Sequence, residues 1–178
     1  MPAETPRLLS PAPSQCSLEM LTHHYGDIYE HSPWVAEAAW QHGLTEAHDT
    51  PDALAELMGL MLQQASSEQQ ISVIRAHPDL AGKAAMAGEL TQDSTSEQAG
   101  AGLDQCSPEE FARFEYLNVA YKEKFGFPFV IAVKGLDRHG ILDAFEARLN
   151  NDAATERQTA IEQIIRIARF RLRARAEQ

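Results

Sequence analysis

The stretch RAHPDLAGKAA, Arg75 to Ala85, followed by ELTQDSTSEQAGAGL, Glu89 to Leu103, decides how this chain is read. Pro78 follows His77 at once, and a proline biases the residue before it away from the right-handed helical region. The sequence therefore predicts a helix that stops at His77 and presents the imidazole at its end. Further on, Glu97 is the only carboxylate in the run Ser94 to Gly102, which otherwise holds Ser, Thr, Gln, Gly and Ala. A histidine and a carboxylate at two element ends suit a shared cleft, the pairing that general acid-base chemistry needs. Downstream, KFGFPFVIAVKG, Lys124 to Gly135, answers this stretch. Its proline and β-branched residues read as a strand or a buried linker.

Outward from this centre the chain reads as helices. Leu18, Leu21, Tyr25, Ile28 and Tyr29 carry a 3.6-residue period from Ser17 to Tyr29. Ser32 with Pro33 predicts a second helix start, running through Trp40 to Gly43, and Thr50 with Pro51 a third. Ser67 with Gln70 reads as a short capping box ahead of Ile71, Val73 and Ile74. Lys83 to Gly102 is small, polar and Gly-containing, and predicts short helical pieces around loops. Ser107-Pro108-Glu109-Glu110 is a cap, a proline at the first helical position and a glutamate two further on, opening a helix that runs to Gly126. Gly140 to Leu149 and Ala153 to about Arg175 complete the pattern. No repeat or βαβ alternation is present. The expected class is all-α, a single-domain helical bundle with a short extended segment near 127–133.

The chain has 178 residues, 44% of them hydrophobic, which suits one domain with its own core. Residues 1–16, with prolines at 2, 6, 11 and 13, are expected to be a flexible tail before a domain over 17–178. The longest apolar run, Phe127 to Val133, is far short of the roughly 20 residues of a membrane span. A net charge of −11 argues against nucleic acid as the main partner. Cys16 and Cys106 are the only cysteines, which supports neither a disulfide framework nor a thiolate zinc site and suits a reducing cytoplasm.

Three groups carry candidate chemistry. On the last helix Ile161, Ile164, Ile165, Ala168 and Leu172 trace an apolar stripe, and Arg171 falls on its flank while Arg166, Arg169 and Arg173 lie opposite. A snorkelling arginine accounts for this, and so does a guanidinium aimed into a pocket to hold a carboxylate. His77 can equally be a helix-end histidine on carbonyls, and Ser94 with Glu97 can equally be a capping box. The competing cluster is His23, His24, Asp27, Glu30 and His31, in which the i, i+4, i+7 spacing of His23, Asp27 and Glu30 puts possible metal ligands on one helix face. Gly26 and the lack of HExxH weigh against zinc hydrolysis. No GxSxG, P-loop or GxGxxG supports those nucleophile or nucleotide chemistries.

HPDLAGK, the looser Ser94, Glu97, Gln98, Gly102, Leu103 pattern and LNVAYKEKFGFPFVIAVKG together resemble the OHCU decarboxylase family, over about Leu18 to Arg173. EHSPWVAEAA also looks like the family's N-terminal helices. The AGAGL string departs from the family's simpler AGL or AGM, and so does the proline-rich tail. The resemblance implies an all-α, cofactor-free and metal-free enzyme, usually a homodimer. Its substrate would be 2-oxo-4-hydroxy-4-carboxy-5-ureidoimidazoline (OHCU), decarboxylated to (S)-allantoin in urate breakdown. It assigns His77, Glu97 and Arg171 as catalytic residues. It gives substrate contacts to Pro78, to Ser94, Thr95, Ser96, Glu97 and Gln98, and to Phe129, Val130, Ile131, Ala132 and Val133. The alternative from the residues alone is a non-enzymatic helical adaptor that binds an acidic partner through the arginine-rich last helix.

Overall fold

The chain is described by a computed structural model covering Thr5 and residues 7–177, the side chains of Lys83 and Ala84 excepted. The expectations for residues 1–4, 6 and 178 lie outside the described residues. Among the described residues the regular elements are all helical. They are α1 (Leu18–Tyr25), α2 (Trp34–His42), α3 (Pro51–Gln63), α4 (Ser67–Arg75), α5 (Lys83–Met86), α6 (Gln92–Gly100), α7 (Pro108–Phe125), α8 (Arg138–Leu149) and α9 (Ala153–Ala176). No helix is long and apolar enough to cross a membrane, among the described residues. The contacts gather into two units, 1–73 with 165–178, and 74–164.

In unit one Leu21, Tyr25, Ile28, Tyr29, Val35, Ala39, Leu54, Met58, Leu62 and Leu172 form the core. Thr50 caps α3 by accepting the Ala53 amide, as the sequence predicts, and Ser17 caps α1 by accepting the Met20 amide. Ser32 does not cap α2, because its hydroxyl donates back to the Glu30 carbonyl at 2.8 Å. The box before α4 lies one residue earlier than expected: Ser66 Oγ accepts the Gln69 amide, and Gln69 Oε1 accepts the Ser66 amide. Leu9, within the stretch read as a flexible tail, is buried. Its amide donates to the Asp49 carbonyl, and the Ser14 amide and hydroxyl donate to the Asp49 carboxylate at 2.8 and 2.7 Å. Leu9, Pro13 and Cys16 supply the burial that holds this segment from Leu9 onward.

In unit two the Ser107–Glu110 capping box opens α7, and Gly126 closes it in the left-handed region at φ 78°. Asp137 accepts the Gly140 amide and starts α8 at Arg138, two residues before the expected glycine. Tyr121 is the hub of an aromatic core, with ring centroids 4.5 Å from Phe125, 5.4 Å from Phe129 and 5.8 Å from Phe145. Phe129 and Phe145 stack at 3.9 Å. Residues 128–133 form neither helix nor strand, so this segment is a buried linker.

Candidate active site

Three side chains of α6 and α7 hold the turn that follows His77. Helix α4 ends at Arg75, and the His77 amide still donates to the Ile74 carbonyl at 3.2 Å. The histidine is buried, 8% exposed, just before Pro78. Beyond the proline, Ala81 takes a left-handed φ of 51°, which a non-glycine residue adopts only when its surroundings enforce it. Gln98 supplies part of that enforcement: its Oε1 accepts the Ala81 amide at 3.0 Å, and its Nε2 donates to the Asp79 carbonyl at 3.2 Å. Asn118 Nδ2 donates to the Leu80 carbonyl at 3.0 Å, and Lys122 Nζ reaches Asp79 Oδ2 at 2.6 Å.

Through Gln98, α6 is tied to the histidine turn, and Glu97 is the neighbouring residue in the chain. Ser94, Glu97 and Gln98 share one face of α6 at i, i+3 and i+4. Ser94 and Gln98 are buried and Glu97 half-buried, whereas Thr95 and Ser96 are exposed. The expected Ser94–Glu97 capping box is not formed. Thr91 is the cap and accepts the Ser94 amide at 3.3 Å, which places Glu97 in mid-helix.

The Phe129–Val133 linker is buried except at Ile131, which is half-buried. Its main chain is gripped by α8 and α9. Arg148 Nη1 donates to the Val130 carbonyl at 2.6 Å, and Gln163 Oε1 accepts the Ala132 amide at 2.9 Å. The Arg148 guanidinium lies 4.4 Å over the Phe129 ring. Glu156, fully buried, balances it, accepting from Arg148 Nε at 2.8 Å, the Tyr121 hydroxyl at 2.7 Å and Asn151 Nδ2 at 2.9 Å. Burial, then the bond to Glu156, push the Tyr121 phenol far up, so it remains a proton donor.

Arg148, Glu156 and Gln163 were not singled out from sequence, although a signal for the first was present. Ile141, Phe145 and Arg148 stand at i, i+4 and i+7 and are all buried. That is the same misplaced cation on an apolar stripe that singled out Arg171.

Arg171, within unit one, is buried, and it faces a carboxylate of its own chain. Its Nη1 lies 2.9 Å from Glu30 Oε2 and donates to the Ile28 carbonyl at 3.3 Å. Arg175 lies 2.9 Å from Asp27. Two members of the i, i+4, i+7 cluster on α1 and the turn after it are thus arginine partners, and among the described residues no group of three or more His, Cys, Asp or Glu is arranged to hold a metal ion. Arg173 pairs with Asp52 at 2.7 Å. The adaptor reading relied on these arginines, and Arg171, Arg173 and Arg175 each already face a carboxylate.

An all-α chain in which a buried histidine turn is clamped by a polar helix face defines the class of site. The family of OHCU decarboxylases matches residues 14–173. The 2-oxo-4-hydroxy-4-carboxy-5-ureidoimidazoline decarboxylase of Halalkalicoccus jeotgali is 38% identical over 159 residues, covering 89% of this chain and 86% of that protein. Its counterpart from Haloferax volcanii is 41% identical over 151 residues, covering 85% and 86%. A crystal structure of (S)-allantoin synthase is similar with a TM-score of 0.71 at 29% identity, over 92% of this chain. This chain spans about half of that one, 52%. The chain belongs to the OHCU decarboxylase family.

Proposed function

We propose that this protein decarboxylates 2-oxo-4-hydroxy-4-carboxy-5-ureidoimidazoline to (S)-allantoin, with His77 as general acid-base. The observation that carries the reading is membership of the family across residues 14–173, including the whole histidine turn and the α6 face. The chemistry asks little of the protein beyond placement. The bond from the ring carbon to the carboxylate breaks, and its electron pair forms a carbon–carbon double bond to the neighbouring ring carbon. The C=N π pair of that carbon moves onto nitrogen, which takes a proton. The enol hydroxyl then loses its proton to become the carbonyl, and the neighbouring carbon is protonated on one face. The net change is loss of CO2 and uptake of one proton. The substrate's own C=N group accepts the electron pair, so no cofactor enters the scheme.

His77 delivers the proton that sets the (S) centre, and Glu97 holds the substrate hydroxyl or orients the imidazole. For Arg171, which lies in unit one against Glu30, the family resemblance gives the role of holding an anionic or ureido oxygen. Pro78, the Ser94–Gln98 face and the main chain of Phe129–Val133 shape the contacts. Support comes from the burial of His77, the shared face of Ser94, Glu97 and Gln98, and the half-buried position of Ile131 in an otherwise buried linker. The reading carries with it a homodimer in the cytoplasm, in keeping with two free cysteines.

The test is circular dichroism of OHCU freshly generated from urate by urate oxidase and hydroxyisourate hydrolase. Rapid growth of the (S)-allantoin signal with the protein present is the expected result. A racemic product at the uncatalysed rate, from folded protein, overturns it.

A further inference from the structure

The linker over 129–133 has no ladder of its own, so side chains from elsewhere in unit two decide how its peptides are presented. Two do so. Arg148 takes the Val130 carbonyl and Gln163 takes the Ala132 amide. Val130 and Ala132, two residues apart, are thus held by side chains of α8 and α9. Between them, the Ile131 N–H and C=O take no hydrogen bond among the described residues. Ile131 is also the one residue of 129–133 that is not fully buried. Its N–H and C=O offer a donor and an acceptor, the pattern a cyclic ureide presents in complement.

We propose that Gln163 is a positioning residue: by holding the Ala132 amide it sets the register in which the Ile131 peptide meets the ureide face of the substrate. This rests on the decarboxylase reading. Arg148 fixes the other end, but it also belongs to the buried Glu156 network, whose loss endangers the fold. Gln163 is half-buried, and its side chain makes no other hydrogen bond among the described residues.

The experiment compares steady-state kinetics on OHCU, together with thermal melts, for the full-length wild type, Gln163→Leu and Gln163→Glu. Leucine keeps the bulk and removes the acceptor, whereas glutamate keeps an oxygen in place. Loss of one neutral hydrogen bond corresponds to a factor of about two to ten. Gln163→Leu is expected to raise KM about five-fold with kcat nearly unchanged, because a contact shared by ground and transition states has been loosened. Gln163→Glu is expected to return KM to within about twofold of wild type, that being the scale of a retained contact. An active wild type with unchanged KM in Gln163→Leu overturns the inference and leaves the decarboxylase reading standing. A fall in kcat that tracks the melting temperature, with KM unchanged, overturns it in the same way by marking a purely structural role. A folded wild type with no turnover overturns the decarboxylase reading, and the inference with it.

Discussion

Arg148 and Glu156 form a buried ion pair, Nε to Oε1 at 2.8 Å, between the last turn of α8 and the first turn of α9. The same guanidinium holds the Val130 carbonyl, and the same carboxylate holds the Tyr121 hydroxyl, so one pair links the linker to the aromatic core. Removing one partner strands a buried charge, at a cost of about 3–5 kcal/mol, whereas replacing both by apolar groups is far milder. Glu156→Ala is therefore expected to lose about that much in urea unfolding, and Arg148→Met with Glu156→Leu to recover only part of it, because the Val130 carbonyl and the Tyr121 hydroxyl are left without these partners. A loss below about 1 kcal/mol in the single variant would remove the pair's structural role. The Arg173–Asp52 pair makes a useful control, because both side chains are about half exposed. Arg173→Ala should cost about 1 kcal/mol or less, and less still in high salt.

Acid sensitivity follows from Glu110. The Ser107 amide, then Arg138, hold its carboxyl below the usual range. A lowered carboxylate binds its proton less readily in the folded chain than in the unfolded one. Its contribution is therefore fully present above the ordinary glutamate value of about 4.3 and disappears as pH falls through the lowered value. The melting temperature of Glu110→Gln should lie below wild type at pH 7 and converge with it under acid. A gap independent of pH would contradict this origin.

Gly126 closes α7 at φ 78°, with its amide on the Lys122 carbonyl at 2.8 Å. A methyl group there would meet nothing closer than Arg75 Nη2 at 4.0 Å, so the obstacle is conformational rather than steric. Gly126→Ala is expected to cost about 1 kcal/mol in thermal unfolding. A neutral or stabilising result would mean that the helix end relaxes to another cap.

His77→Asn tests the histidine. Asparagine keeps a polar group of similar reach but cannot carry a proton between substrate groups at neutral pH. A general acid-base contributes on the order of 10²- to 10⁴-fold, and kcat/KM should fall by that much with the melting temperature little changed. Wild-type turnover in the folded variant would move the proton transfer elsewhere.

The helices were legible because they rest on local rules. Ser107 with Pro108 and Glu110, Thr50 with Pro51, and Gly126 each announce a boundary within four residues of themselves. Where a polar residue has two possible partners nearby, local reading slips. Ser32 turns back to Glu30 instead of capping α2, Ser66 rather than Ser67 starts the box, and Thr91 rather than Ser94 caps α6. These slips move an element end by one to three residues and leave the element itself in place.

By itself the sequence determined the all-helical class, the interruption after His77, and the misplacement of Arg171 on an apolar stripe, because periodicity and proline stereochemistry act over one or two turns. Only the tertiary structure decided what those residues meet. Gln98 pins the strained turn across 17 positions of chain, Arg171 finds Glu30 across 141, and Gln163 reaches the Ala132 amide across 31. Such pairings are chosen by the need of each buried polar group for a partner, and that need is met by whichever group the packed fold brings within 3 Å or so. No spacing along the chain encodes it.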